Sequence, residues 1–200
     1  MGKYSLEKII VGPFEVNCYI FTVNNKTFII DPGAEPKRII SLIKKNSLIP
    51  VQILLTHAHI DHISATKEVT AEFNIPVYLN ERDKSLYLSP ANSIMPFYLA
   101  LKEYVPTVNT VSDNLIEAIN TPGHTQGGTC FYIKEYNLLF SGDTIFQEAI
   151  GRTDLPGGSY NQLIESIKTK ILSLPDNTFI YPGHGLETSV SREKRENPFL

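Results

Sequence analysis

Apolar positions along the chain change period several times, and the breaks between periods outline the elements. Residues 4–11, 15–23 and 26–31 carry the branched and aromatic patterning of strands. Gly12-Pro13 separates the first two, and Asn24-Asn25 makes a hairpin turn between the second and third. The third run stops at Asp31-Pro32-Gly33, a turn signal. Ile39, Leu42 and Ile43 then fall on one face of a helix expected over residues 35–45. After Pro50, Val51-Gln52-Ile53-Leu54-Leu55 reads as a buried strand. Ala65, Val69 and Phe73 recur at helical spacing and predict a helix over residues 62–74, and Pro76-Val77-Tyr78-Leu79 reads as a short strand.

Residues 80–106 are punctuated by Pro90, Pro96 and Pro106. Two helical pieces are expected there, over 81–88 and 94–104, carrying Tyr87, Phe97, Tyr98 and Tyr104. The segment reads either as a lid or as peripheral packing. Residues 115–120, 129–134 and 137–140 form the next strands, the last two turning at Glu135-Tyr136. A Gly-rich loop spans 151–158. A helix begins at Ser159, with Gln162 placed for a capping box. Leu163, Ile167 and Ile171 share one face of it, and Pro175 ends it. Residues 178–181 are the last strand. No strict repeat, low-complexity segment or linker interrupts the 200 residues, so one domain over 1–200 is expected.

Charge narrows the class. The formal net charge is −3, without the basic excess of a nucleic-acid binder. The one basic cluster, Arg192, Lys194 and Arg195, is interleaved with Glu193 and Glu196 and reads as a solvated helix face. No stretch approaches the ~18 apolar residues of a membrane span, and the N-terminal residues carry no long apolar run. Cys18 and Cys130 sit in strand-like apolar settings and read as buried free thiols. These features together lead to the expectation of a cytoplasmic protein without nucleic-acid or membrane partners.

Chemistry concentrates in Thr56-His57-Ala58-His59-Ile60-Asp61-His62, where a strand ends and a helix begins. Three of the five histidines of the chain lie here. Imidazoles and a carboxylate packed so closely repel once desolvated, unless a cation neutralises them. His57 and His59 are two apart, so on an extended segment they point the same way. Asp61 and His62, at the helix start, point away from that pair. His124, Asp143 and His184 each also follow a strand, in Pro-Gly-His-Thr, Ser-Gly-Asp-Thr and Pro-Gly-His-Gly. Seven groups exceed the four ligands of one tetrahedral zinc. They suit two metals sharing a carboxylate, about 3.5–4 Å apart.

This order of motifs resembles the metallo-β-lactamase-fold hydrolases, over nearly the whole chain from Asn17-Cys18-Tyr19 to His184. The resemblance implies an α/β fold: a four-layer αβ/βα sandwich of two mixed sheets flanked by helices. It implies that His57, His59 and His124 hold a first metal and Asp61, His62 and His184 a second, with Asp143 bridging. Asp61 would orient the bridging water or take its proton. The cofactors implied are two divalent ions, zinc first, with iron or manganese as alternatives.

Within that family, residues 142–146 and Gly151-Arg152-Thr153-Asp154-Leu155-Pro156-Gly157-Gly158 resemble short glyoxalase II-like proteins, hydroxyacylglutathione hydrolases that cleave thioesters such as S-lactoylglutathione. A thiolate is a soft ligand that zinc accepts well. His184 lies 16 residues from the last residue, so the C-terminal glutathione-binding helical domain of longer glyoxalases II is not expected. Arg152 is the candidate for holding a substrate carboxylate. Asp154 stands where the family carries a tyrosine, and the alternative is that Arg152 and Asp154 brace the glycine loop as an ion pair. The competing activities are a persulfide dioxygenase, with one iron on His57, His124 and Asp143, and a lactonase. A β-lactamase is disfavoured because those enzymes are usually exported, and a nuclease by the acidic balance. A zinc-stabilised binding protein would need no bridging carboxylate. The oligomeric state is left open.

Overall fold

Each half of the chain builds one sheet in the computed structural model, which describes residues 3–200. The first sheet has six strands in sequence order: β1 (Tyr4–Val11), β2 (Val16–Val23), β3 (Lys26–Ile30), β4 (Pro50–Leu54), β5 (Val77–Tyr78) and β6 (Thr107–Val108). β1, β2 and β3 pair antiparallel, and β3 to β6 run parallel. The second half adds β7 (Glu117–Asn120), β8 (Thr129–Ile133), β9 (Leu138–Gly142), a small hairpin of β10 (Ile145–Phe146) and β11 (Ala149–Ile150), then β12 (Phe179–Pro182) and β13 (Thr188–Ser189). Its five-stranded sheet has the order β13-β12-β9-β8-β7, with only β12 and β9 parallel.

Alternation along the strands explains the layering. Nearly all of β2 is buried, because its two faces meet different partners. Cys18 and Ile20 pack with Ile39, Ile43 and Val69 on the helices of the first half. Tyr19, Phe21 and Val23 meet Phe131, Ile133 and Phe140 of the opposite sheet. Cys130, Tyr132 and Leu139 face outward again, onto Leu163, Ile167, Ile171 and Val190. Each such fully buried Ile or Phe is worth roughly 1.5–3 kcal/mol. The order is therefore helices, sheet, sheet, helices, as the four-layer reading expects. Both thiols are free and buried, and burial holds each in its neutral form, pushing Cys130 up to about 11.

The helices are α1 (Pro36–Lys45), α2 (Ile60–Ile63), α3 (Thr66–Phe73), α4 (Lys84–Tyr87), α5 (Tyr160–Ser166) and α6 (Val190–Glu196). α5 runs into a π-helical turn at Ile167–Ile171. Three expectations are corrected. The helix over 62–74 is split in two. The Ala65 N–H leaves the helical ladder for the Pro32 carbonyl (3.0 Å), which reaches in from the turn after β3. The helix over 94–104 does not form. Pro96 has no N–H for the ladder, and Ile94 and Tyr98 instead close a tight turn on each other's backbone. The piece over 81–88 is a 3-10 turn at Glu81–Asp83 followed by α4.

Two details at helix ends also differ. Ser159 caps α5 through the Gln162 N–H, but the Gln162 side chain accepts from Gln126 Nε2 instead of returning to Ser159. The Ser159 N–H goes to the Gly123 carbonyl (2.7 Å), tying the helix start to the loop of His124. On α6, Arg192 pairs with Glu148 and Glu196, and Lys194 with Asp176, as a solvated face should. Glu193 does not belong to that face. It is fully buried and accepts from Thr188 Oγ1, the Asn197 amide (2.8 Å) and the Glu148 N–H (2.9 Å). Among the described residues no helix is long and apolar enough to cross a membrane.

Candidate metal centre

β4 delivers the histidine loop at its C-terminal end, the end at which parallel strands present ligands. Its parallel neighbour β3 ends beside it, at Asp31. Asp31 Oδ1 accepts from the Thr56 N–H (2.8 Å), and Oδ2 accepts from Thr56 Oγ1 (2.6 Å) and from His62 Nδ1 (2.9 Å). The Thr56 hydroxyl proton is thereby spent, so its oxygen accepts from His57 Nδ1 (3.0 Å). One buried carboxylate thus orients His62 directly and His57 through a hydroxyl. The sequence reading took Asp31 only as part of a turn.

The other half supplies His124 after β7, Asp143 after β9 and His184 after β12. His124 Nδ1 donates to the Arg152 carbonyl (2.7 Å), and His184 Nδ1 donates to the Phe14 carbonyl (2.8 Å). Their Nε2 atoms face the loop from β4. Gly183 allows the close approach: a Cβ there would lie 2.3 Å from Asp143 Oδ1 and 2.7 Å from the His62 ring. His57, His59 and His124 form one group whose ligand atoms lie within 4.8 Å of one another, and Asp61, His62 and His184 form another. Asp143 lies between them. Its Oδ1 is 3.4 Å from His62 Nε2, and its Oδ2 is 3.6 Å from both His124 Nε2 and His184 Nε2. The expected division of the loop is present, with His57 and His59 toward one group and Asp61 and His62 toward the other.

This arrangement asks for cations. His62 and His184 both donate through Nδ1, so a neutral pair would set two Nε2 lone pairs against each other 3.2 Å apart, and without a cation one ring must carry a proton where a metal would sit. His124 Nε2 and His59 Nδ1 approach to 2.9 Å. His57 Nε2 and Asp143 Oδ1 are buried with no hydrogen-bond partner. Such orphaned atoms are costly unless something outside the chain satisfies them. Burial and then the neighbouring rings push the His57 pKa well below its ordinary value, and burial and His124 push His59 down to about 3. Both are thus neutral, the form that ligates. Burial also opposes charge on His62, but Asp143, Asp61 and Asp31 outweigh it and push it up to about 10. For Asp61 burial works the other way, and the His62 and His184 rings overcome it to hold the carboxyl well below the usual range. Nitrogen and carboxylate donors with open lone pairs suit a divalent metal.

The segment over 80–106 buttresses this loop. Asp83, itself buried, accepts from the Ala58 N–H (3.0 Å), from Thr125 Oγ1 (2.8 Å) and from the Gly127 N–H (2.6 Å). It joins the loop of His57 and His59 to the loop of His124. Asn92 accepts from the Ile60 N–H (2.9 Å) and donates to the Ala58 carbonyl (2.8 Å). Nothing in the residue pattern marked either one. Tyr87 and Tyr98 are buried in the adjoining core, and Tyr104 stacks edge-on to Tyr87 at 5.1 Å.

A cavity of about 460 Å³ opens over the cluster. His59, Asp61, His124, Asp143 and His184 line its floor, and Arg152 lies on its edge. The Arg152 guanidinium is engaged by Asp154 through two bonds of 2.8 Å, the bracing arrangement of the two sequence alternatives. Both side chains are exposed.

Known proteins with this geometry are close in sequence as well. The hydroxyacylglutathione hydrolase GloC of Haemophilus influenzae (strain ATCC 51907 / DSM 11121 / KW20 / Rd) is 38% identical, over 98% of this chain and 98% of its own. The crystal structure of TTHA1623 in a di-iron-bound form matches with a TM-score of 0.91 and 35% identity, over 97% of this chain and 100% of that one. That of the BLEG-1 B3 metallo-β-lactamase matches with a TM-score of 0.89 and 35% identity, over 98% of this chain and 99% of that one. The profile of the metallo-beta-lactamase superfamily aligns with residues 11–184, from the end of β1 through the last histidine. The family model and the whole-length relatives therefore agree, and the chain belongs to the metallo-β-lactamase superfamily, as a metallo-hydrolase of that fold.

Proposed function

We propose that this protein hydrolyses acyl thioesters in the manner of glyoxalase II, with S-lactoylglutathione as the first substrate to test. The observation that carries the reading is Asp143, placed between two separate groups of three donors with one oxygen unpaired. His57, His59 and His124 would hold one divalent ion, Asp61, His62 and His184 a second, and Asp143 both. Two ions, zinc first and iron or manganese as alternatives, would supply Lewis acidity and a water of lowered pKa.

The chain's own groups do the rest. Asp61 stays ionised beside His184 (3.5 Å) and is placed to orient a water or accept its proton. Water adds to the thioester carbonyl carbon and the C–S bond breaks. The thiolate leaves and takes up a proton, giving an acid and a thiol. Arg152 is a substrate-binding candidate through the guanidinium donors that Asp154 leaves free. The partner in this reading is a small thioester and no nucleic acid or membrane, and the working compartment is the cytoplasm. The 38% identical hydroxyacylglutathione hydrolase supports it.

A second reading is persulfide oxidation with one iron on His57, His124 and Asp143, and the di-iron-bound neighbour supports iron as a metal of this fold. The likeness to a B3 metallo-β-lactamase favours a third, cleavage of a lactam C–N bond by the same groups. The test is thiol release from S-lactoylglutathione by purified protein of measured metal content, with and without a chelator. Chelator-sensitive release is expected. Metal-loaded protein that releases no thiol from any thioester, yet consumes oxygen with glutathione persulfide or opens a chromogenic cephalosporin, would replace the reading with the second or the third.

A further inference from the structure

The walls of the cavity over the cluster carry little unspent polarity. Asn92 uses both ends of its amide on the backbone of Ala58 and Ile60. Ser89 Oγ accepts from the Ala91 N–H (3.2 Å), and Ser93 Oγ donates to the Pro90 carbonyl (3.4 Å). Arg152 is held by Asp154. What the walls present above the metal-binding floor is Leu86, Ile94, Leu155 and Phe14. The apolar surface continues outward, because Phe97, 62% exposed, meets Phe14 edge-on at 5.6 Å.

A charged group lying against those apolar walls loses water and gains no partner from them, whereas an apolar chain gains its transfer free energy. We infer that the thioester cleaved here carries an uncharged, apolar acyl chain lying along Ile94 and Leu155. This deepens the thioesterase reading and rests on it. The bonds broken and formed are the same, and what changes is which acid is released. For the two carboxylates of a glutathione conjugate the cavity lining offers one basic side chain, Arg152, two of whose donors Asp154 already takes.

Chain length supplies the test. Thioesters of N-acetylcysteamine are neutral, and acetyl, butanoyl and hexanoyl members differ only in methylenes. With the zinc-loaded enzyme, kcat/KM is expected to rise by roughly fourfold per methylene until the cavity is filled. The hexanoyl member should exceed S-lactoylglutathione. Binding is read separately, by calorimetry with the uncleavable thioethers S-ethyl- and S-hexyl-N-acetylcysteamine. The hexyl compound should bind more tightly, and Ile94→Asp and Leu155→Asp, each verified as folded by its circular dichroism melt, should abolish that difference. A flat or falling series with S-lactoylglutathione preferred would overturn the inference and leave thioester hydrolysis intact. If no thioester is cleaved, the thioesterase reading fails, and equal binding of the two thioethers would overturn the apolar cavity as well.

Discussion

Two carboxylates do different work at the centre, and each makes a separate forecast. Asp143 is shared between the two donor groups, so Asp143→Ala should lose metal from both sites and turnover together. Metal counting by emission spectroscopy beside a rate assay checks this, and full occupancy with full turnover would refute the bridging role. Asp31 lies outside the two groups of three donors joined by Asp143, and it groups instead with His57 and His62. It fixes the tautomer of His62 and, through Thr56, the ring of His57. Loss of such an orienting partner typically costs ~10–100-fold in metal affinity. Asp31→Ala should therefore weaken metal binding by that factor in chelator competition, while an unchanged affinity would make Asp31 a purely structural group. The clustering of the candidate donors was legible in the chain, because every histidine follows a strand and three lie within six residues. Asp31 was not legible, because its role exists only once β3 lies parallel to β4 and Thr56 comes within reach.

At the scale of elements, most strands and amphipathic stretches were readable from period alone, and what failed was the break that splits the helix over 62–74 and the connection over 80–106. Its prolines were visible. Where the chain went between them depended on hydrogen bonds to groups distant in sequence, and those hold it against the histidine loop. Asp83 gathers two backbone N–H groups and a hydroxyl from both metal-bearing loops. Asp83→Ala leaves those donors without a partner. At ~1–3 kcal/mol for each of three buried unsatisfied groups, the loss should be at least about 3 kcal/mol in urea unfolding of the metal-free protein. A change below about 1 kcal/mol would mean that water replaces the carboxylate and that the segment is not a buttress. The small elements β6, β10, β11 and β13 also escaped the reading, since two residues cannot display a period.

For the whole molecule the question is what joins the halves. Part of the join belongs to the chain. Asn17 Nδ2 donates to the Pro182 and Gly185 carbonyls (3.0 Å each), Tyr19 Oη donates to Pro182 (2.7 Å), and the Thr129 N–H donates to Thr56 (2.8 Å). The donor groups add a second join. His57, His59, Asp61 and His62 come from the first half, and His124, Asp143 and His184 from the second, so an ion in either group is bonded to both. Metal that binds only the folded state stabilises it by about 2.7 kcal/mol at 100 times its Kd. At ~2–4 °C per kcal/mol for a chain of this length, zinc-loaded protein should melt roughly 5–11 °C above the chelated form, and adding zinc back should restore the difference. In Asp143→Ala that difference should shrink toward zero. In Asn17→Ala both forms should melt lower with the difference preserved, because the two joins act on separate atoms. A metal-dependent shift that survives Asp143→Ala undiminished would mean that His124 and His184 tie the ions to the second half without the carboxylate, and would remove Asp143 from the join.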